Sequence, residues 1–280
     1  MKKIFKLIVS FVLLAGFSAC NKQSLPPAPV PTVNYKGLTF ISSGKSTVRL
    51  AKVGAPDEIT LEYSTDESHW NPYTIGKKIS LADGTFLLFR AGEQKNLKFS
   101  KNSDNHYHFE ISGPVTAQGN IMSLLDRDFS TPLSPNAFFA LFEGCTSLLS
   151  APELPATKME RSCYFRMFAE CTGLTSAPEL PAKRLESNCY LCMFEGCTSL
   201  TSAPELPATE LVSHCYEFMY KDCRNLRYVI GLFTTEPSEK TTKDWLSGVA
   251  ASGTFIKSKK ATWDVTGADG VPEGWKIETW

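Results

Sequence analysis

Between Cys145 and Cys223 the chain repeats itself with a 26-residue period, and this limits its fold more than any other feature. One set of cysteines falls at Cys145, Cys171, Cys197 and Cys223, and a second at Cys163, Cys189 and Cys215. The hexapeptide APELPA recurs in the same register at Ala151–Ala156, Ala177–Ala182 and Ala203–Ala208, and Phe142, Phe168, Phe194 and Tyr220 share a further slot. A unit this short cannot bury its apolar residues alone. It must stack on copies of itself, giving a solenoid in which each unit meets only its neighbours. Solenoids present long surfaces, so the expectation is binding and not catalysis.

Within a unit, Leu148, Ala151 and Leu154 are spaced as a short inward-facing strand, with Pro152 and Pro155 fixing the corner that follows. Met159, Cys163, Met167 and Phe168 then come at intervals of four and one, an apolar stripe of helical period. Each unit is therefore expected to be a short strand followed by a helical turn or short helix, the plan of a leucine-rich repeat. The array is expected over 131–233, opening with a half-degenerate copy in which Ala137 and Phe138 fill the slots of Cys163 and Tyr164. From Thr234 the pattern stops. A helix over Thr242–Val249 and strands at Gly253–Lys257 and Trp275–Glu278 read as a small module, 234–280, that covers the exposed last unit.

The section before the array, 35–118, has a different period. Leu38-Phe40, Val48-Leu50, Ile59-Leu61-Tyr63, Leu87-Phe89 and Tyr107-Phe109-Ile111 alternate apolar and polar residues, and Gly- or Pro-containing turns separate them. Period-two runs at this spacing predict a small antiparallel β-sandwich. The fold class is then α+β and multidomain: an N-terminal antiparallel β-sandwich, a short leucine-rich repeat solenoid and a C-terminal cap. Trp70 and Tyr73 flank a polar turn, where packing is favoured over a sugar platform.

The N-terminus reads as an export signal. Lys2, Lys3 and Lys6 precede an apolar run from Leu7 to Phe17, which ends in Ser18-Ala19-Cys20. The run is short for a membrane span, and a cysteine directly after small residues resembles a bacterial lipobox with Cys20 as the lipidated residue. Ordinary cleavage after Ala19 is the alternative. Residues 1–20 are thus expected to be a lipoprotein signal and 21–34 a Pro-rich tether. Loss of the signal removes three lysines and no acids, taking 29 basic residues to 26 against 29 acidic ones. A net charge of −3 on that arithmetic does not suit a polyanion, so nucleic acid is not an expected partner. The membrane is expected to be touched only through the lipid.

Three constellations could carry chemistry. Eight cysteines remain after Cys20, but equivalent ones on stacked helices would stand about 8–10 Å apart, beyond the roughly 7 Å reach of a disulfide. Buried thiols acting as small apolar residues are expected. Cys192 lies outside the lattice, in the slot of Arg166, is expected outside the core and is the candidate reactive thiol; Cys189, Cys192, Cys197 and His214 do not make a convincing zinc set. His106 and His108 share one face of a strand without a third ligand, so a solvated face is favoured. No nucleophile elbow, phosphate-binding glycine loop or metalloprotease motif is present. No enzyme, cofactor or metal is expected. Glu153, Glu179 and Glu205 form a charge ladder, for which N-terminal charge on the helical turn after each corner, or pairing with Lys158 and Arg184, is favoured over a stripe that binds a cationic or hydrogen-bonding ligand.

The unit MFEGCTSLTSAPELPATELVSHCY (Met193–Tyr216) resembles the BspA-like leucine-rich repeats of exported proteins from gut Gram-negative anaerobes. Leu61–Leu81 and Gly119–Asp126 look like the β-domain that precedes such arrays, and Asp244–Lys257 and Gly270–Ile277 like the module that closes them. The resemblance implies an outer-membrane lipoprotein that binds a protein or glycan in adhesion or interaction, and it brings no catalytic residues. Asn21–Ser24 lack an acidic run, which leaves open whether the surface or the periplasmic face is meant. A periplasm-facing architectural or assembly protein is the alternative function.

Overall fold

The computed structural model describes residues 36–280, so the expected signal, Cys20 and the tether lie outside the described residues. The described chain is almost entirely β, with a solenoid of about 3 turns towards its C-terminus. Nine strands come first: β1 Leu38–Ser42, β2 Ser46–Val53, β3 Leu61–Ser64, β4 Asn71–Tyr73, β5 Ile79–Leu81, β6 Phe86–Ala91, β7 Ser100–Asn102, β8 Asn105–Ser112 and β9 Val115–Gln118. They form two antiparallel arrangements, β9-β1-β6-β3-β4 and β5-β2-β8-β7. Alternation places Phe40, Phe89 and Phe109 inward, and these three rings join the two sheets at centroid distances of 5.0–6.1 Å. Each alternating run read from the sequence lies in or overlaps one of these strands.

The repeats grow directly from this sheet. Strand β10, Leu148–Ser150, pairs in parallel with β9, and Ser150 bridges to Ser176 in the next unit. Further on, β11 Ser202–Leu206, β12 Tyr228–Gly231, β13 Thr254–Lys257 and β14 Lys276–Thr279 make a parallel sheet in that order. Thr254 of β13 pairs with Tyr228 of β12, one full repeat period earlier, so parallel pairing carries on beyond Thr234, where the sequence pattern fades.

The helix expected in each unit does not form, and neither does the one expected over Thr242–Val249. The one helical element among the described residues is a 3-10 turn at Ile121–Leu124. The segments after the corners are runs of tight turns in which chosen residues are left-handed at the repeat period: Asn136, Ser162, Asn188 and His214; Ala140, Arg166, Cys192, Phe218 and Asp244; Gly144, Glu170, Gly196, Asp222 and Gly248. The reason lies in where the backbone donors go. From Ser162 to Cys171 the even-numbered residues, Tyr164 apart, donate to the next unit, as Arg166 N to Leu191 O, Phe168 N to Met193 O and Glu170 N to Glu195 O. Odd-numbered ones donate three residues back, as Met167 N to Tyr164 O and Ala169 N to Arg166 O. An α-helix would keep its amides for itself. Here about half of them tie one unit to its neighbour, and the helical spacing of the apolar residues is met without a helix.

Two aromatic columns fill the interior. Phe109, Phe142, Phe168, Phe194 and Tyr220 stack at 5.3, 5.4, 5.6 and 5.5 Å, and Phe138, Tyr164, Tyr190, Tyr216 and Trp245 at 6.1, 6.1, 5.9 and 6.3 Å. The first column starts on β8, so the N-terminal sheets cover the first unit of the array. Phe168, fully buried at mid-column, would cost about 3–5 kcal/mol on truncation to Ala. The cysteines accompany these rings. Cys145, Cys171, Cys197 and Cys223 each donate a thiol proton to a carbonyl one layer back, of Phe109, Phe142, Phe168 and Phe194, at 3.0–3.1 Å. All eight described cysteines are buried and unbridged.

Candidate ligand-binding face

The APELPA corners make one outward face. In each copy the leucine points in, with Leu154, Leu180 and Leu206 buried, while Glu153, Glu179 and Glu205 point out and are exposed. Prolines on either side of the glutamate offer no amide to a neighbouring strand, so the corners stay apart and shallow clefts open between successive units. A cleft of about 420 Å3 lies between the first two corners, with Glu153 and Glu179 on its walls. One of about 530 Å3 lies between the second and third, with Glu179, Glu205, Ser176, Ser202 and Lys183. Glu179 belongs to both, so the two clefts are consecutive segments of one trough.

The local explanation of the ladder fails on distance. Lys158 reaches Glu160 at 3.9 Å and not Glu153, and Arg184 makes no ion pair among the described residues. No helix follows each corner, so no helix terminus is present for the charge to serve. Among the described residues the three carboxylates have no hydrogen-bonded or ionic partner, which leaves their acceptor capacity free for a ligand.

The other sequence candidates are placed elsewhere. Cys192 is not outside the core: it is only 7% exposed, beneath Arg166 and Glu195. Burial, then the Glu195 carboxylate, pushes its thiol up to about 12, while Arg166 pulls the other way. A thiol this basic is a poor nucleophile, so the reactive-thiol reading is withdrawn. The misreading has a clear source. Arg166 in the equivalent slot is held half-buried by Glu143 at 2.8 Å and Glu195 at 2.9 Å, and Cys192 fills the space beneath that network. Cys189, Cys192, Cys197 and His214 do not converge, and the described residues contain no group of three or more side chains able to hold a metal.

His106 and His108 do share a face, but only part of it is solvated, for His108 is half-buried and His106 buried. His106 is buried edge-on against Phe139 at 5.1 Å, and neither Nδ1 atom has a partner among the described residues. Burial, reinforced by His108, holds the His106 pKa below its ordinary 6.5. Trp70 is covered by the Arg90 guanidinium at 3.7 Å, and Arg90 is fixed in turn by Glu62 at 2.8 Å. The packing role is the one its surroundings support. A third concavity, of about 500 Å3, sits where the segment ending at Leu133 meets the first repeat. Sequence reading passes it by, because only Pro155 and Ala156 of its walls belong to a motif and the rest come from separate stretches of chain.

Comparison of the chain with known protein families, with curated proteins and with solved structures gives no match. No helix among the described residues is long and apolar enough to cross a membrane.

Proposed function

We propose that the protein is a non-enzymatic binding protein of the bacterial cell envelope, anchored through Cys20, which takes a protein or glycan ligand along its repeat face. In this reading the N-terminal sheets are a β-sandwich stalk and the array is a solenoid of leucine-rich repeat type, as the resemblance to BspA-like proteins implies. The observation that carries the proposal is the trough with three unpartnered carboxylates in register. Like charges that line one trough repel one another, a cost that no ion pair of theirs offsets among the described residues. Such a row suits a ligand that brings cations or hydroxyl donors. Each carboxylate that accepts a charge-assisted hydrogen bond contributes about 1.5–3 kcal/mol, roughly tenfold or more in affinity.

The test is a binding screen of the purified protein on a glycan array and a panel of immobilised matrix proteins, repeated with Glu153→Gln, Glu179→Gln and Glu205→Gln combined. The expected result is a ligand whose retention is lost in the triple variant at unchanged melting temperature. Equal retention by the variant would remove the trough from the function. Proteolysis of the repeats on intact cells, against cells with a breached outer membrane, decides which side the face serves.

A further inference from the structure

The third concavity differs in chemistry from the glutamate trough. It measures about 500 Å3, within the range of pockets that hold small ligands. Its apolar lining includes Met122, Leu133, Pro155 and Phe129, and its polar lining includes Asn120, Lys158 and Glu160. Phe129 is the unusual element. Its φ of 58° is left-handed, a region that bulky side chains avoid. The left-handed residues of the repeats take that conformation within the ladder that links the units, but Phe129 precedes the ladder. What holds it is Asp126. That buried carboxylate accepts from the amides of Asp128 at 2.6 Å, Ser130 at 3.3 Å and Thr131 at 2.6 Å, closing the loop around residue 129. The loop thus fixes a half-buried aromatic ring in strained backbone at the wall of a cleft. Strain retained in this way is associated with ligand sites.

The polar lining narrows the ligand. Lys158 and Glu160 form a pair at 3.9 Å, so the cleft has no net charge from them and does not select an ion. The Asn120 side-chain oxygen already accepts from Met122 N at 2.8 Å, which leaves its amide donors without a partner among the described residues. A purely apolar ligand would desolvate these three groups without replacing their hydrogen bonds. A ring with one apolar face and several hydroxyls would satisfy them, its C–H face on Phe129 and its hydroxyls toward Glu160, Lys158 and Asn120. We propose that this cleft is a subsite for one neutral sugar residue of a glycan, with Phe129 as its stacking platform. The assignment stands apart from the glutamate trough and does not require it.

Saturation-transfer NMR on the purified protein tests the subsite, with the methyl α- and β-glycosides of glucose, galactose and mannose and with glucuronate as the charged control. Transfer to the ring protons of at least one neutral glycoside is expected. Phe129→Ala should weaken it at least tenfold, Phe129→Tyr should retain it, and Glu160→Gln should weaken it severalfold. Glu160 is surface-exposed enough for that variant to fold, which guards against a misfolded Phe129→Ala. Absence of transfer from every neutral glycoside, binding of glucuronate alone, or unaltered binding in both Phe129→Ala and Glu160→Gln would each overturn the proposal.

Discussion

Removing one oxygen from Tyr164 or Tyr220 probes how dry the two aromatic columns are. Both side chains are fully buried, and neither hydroxyl has a hydrogen-bond partner among the described residues. Each oxygen has therefore given up water and received nothing, at a cost of about 1–3 kcal/mol. Tyr→Phe removes that cost, and the small void it leaves offsets a few tenths of a kcal/mol. A gain of about 1 kcal/mol is expected at each site. The residues belong to different columns and share no ring contact, so the double variant should gain about 2 kcal/mol. In a chain of this size each kcal/mol raises the melting temperature by about 2–4 °C. The contrast is Tyr73→Phe. The Tyr73 hydroxyl donates to Lys77 O at 2.6 Å and accepts from Leu50 N at 2.9 Å, so its loss strands a buried amide. The same substitution should there destabilise by about 1–3 kcal/mol. Urea unfolding of the four variants reads the signs. If Tyr164→Phe and Tyr220→Phe destabilise as Tyr73→Phe does, the hydroxyls are paired and the reasoning fails.

Two further outcomes follow from the buried titratable groups. The thiols of Cys145, Cys163, Cys192 and Cys215 are pushed up to about 12, chiefly by burial, and all eight described cysteines are inaccessible. Native protein at pH 8 should leave these eight unmodified by iodoacetamide, with all eight labelled in guanidinium; rapid native labelling at Cys192, read by peptide mass, would restore the reactive-thiol reading. His106 has a folded pKa below its ordinary 6.5, first through burial and then through His108, with the Ser103 carbonyl, Glu143 and Asp104 opposing. The unfolded chain thus binds the proton more readily, so stability should fall as pH drops through about 6.5 towards the lower folded value. His106→Gln should flatten that slope, and an unchanged slope in unfolding titrations from pH 7.5 to 5 would place its origin elsewhere.

The period, the apolar slots and strands β1, β2, β3, β6 and β8 were legible because each is a local pattern, whereas β4, β5, β7 and β9 are too short to show an alternation of their own. The turn ladder was not. Met159, Cys163 and Met167 stand at spacings that suit a helix, and only the destination of their neighbours' amides distinguishes the two conformations. That destination lies in the following unit, which no local pattern reports. Glu153, Glu179 and Glu205 were legible as a ladder, but the failure of Lys158 to reach them required distances. Cys192 misled for a related reason: its slot holds an arginine one unit earlier, and burial under that arginine is a contact between units. The Phe129 cleft was hidden altogether, since its aromatic, its amide and its ion pair come from three separate stretches of chain.

The even-and-odd division of backbone donors also sets how such an array changes length. Insertion of a single residue between Arg166 and Cys171 would exchange every later amide in that segment between its two destinations. Donors meant for the next unit would turn inward, and left-handed backbone would move from Glu170 onto a neighbour that packs the core. Single-residue indels are therefore excluded from this half of a unit, whereas gain or loss of a complete copy leaves every donor in step. Strand pairings depart from the period where the turn ladder does not run, as between β11 and β12, where the register slips by one residue, and between β13 and β14. Thr254 pairs with Lys276, short of a full repeat, across a connection that lies beyond Gly248, where the left-handed columns end. Length is quantised where the ladder runs and free where it stops.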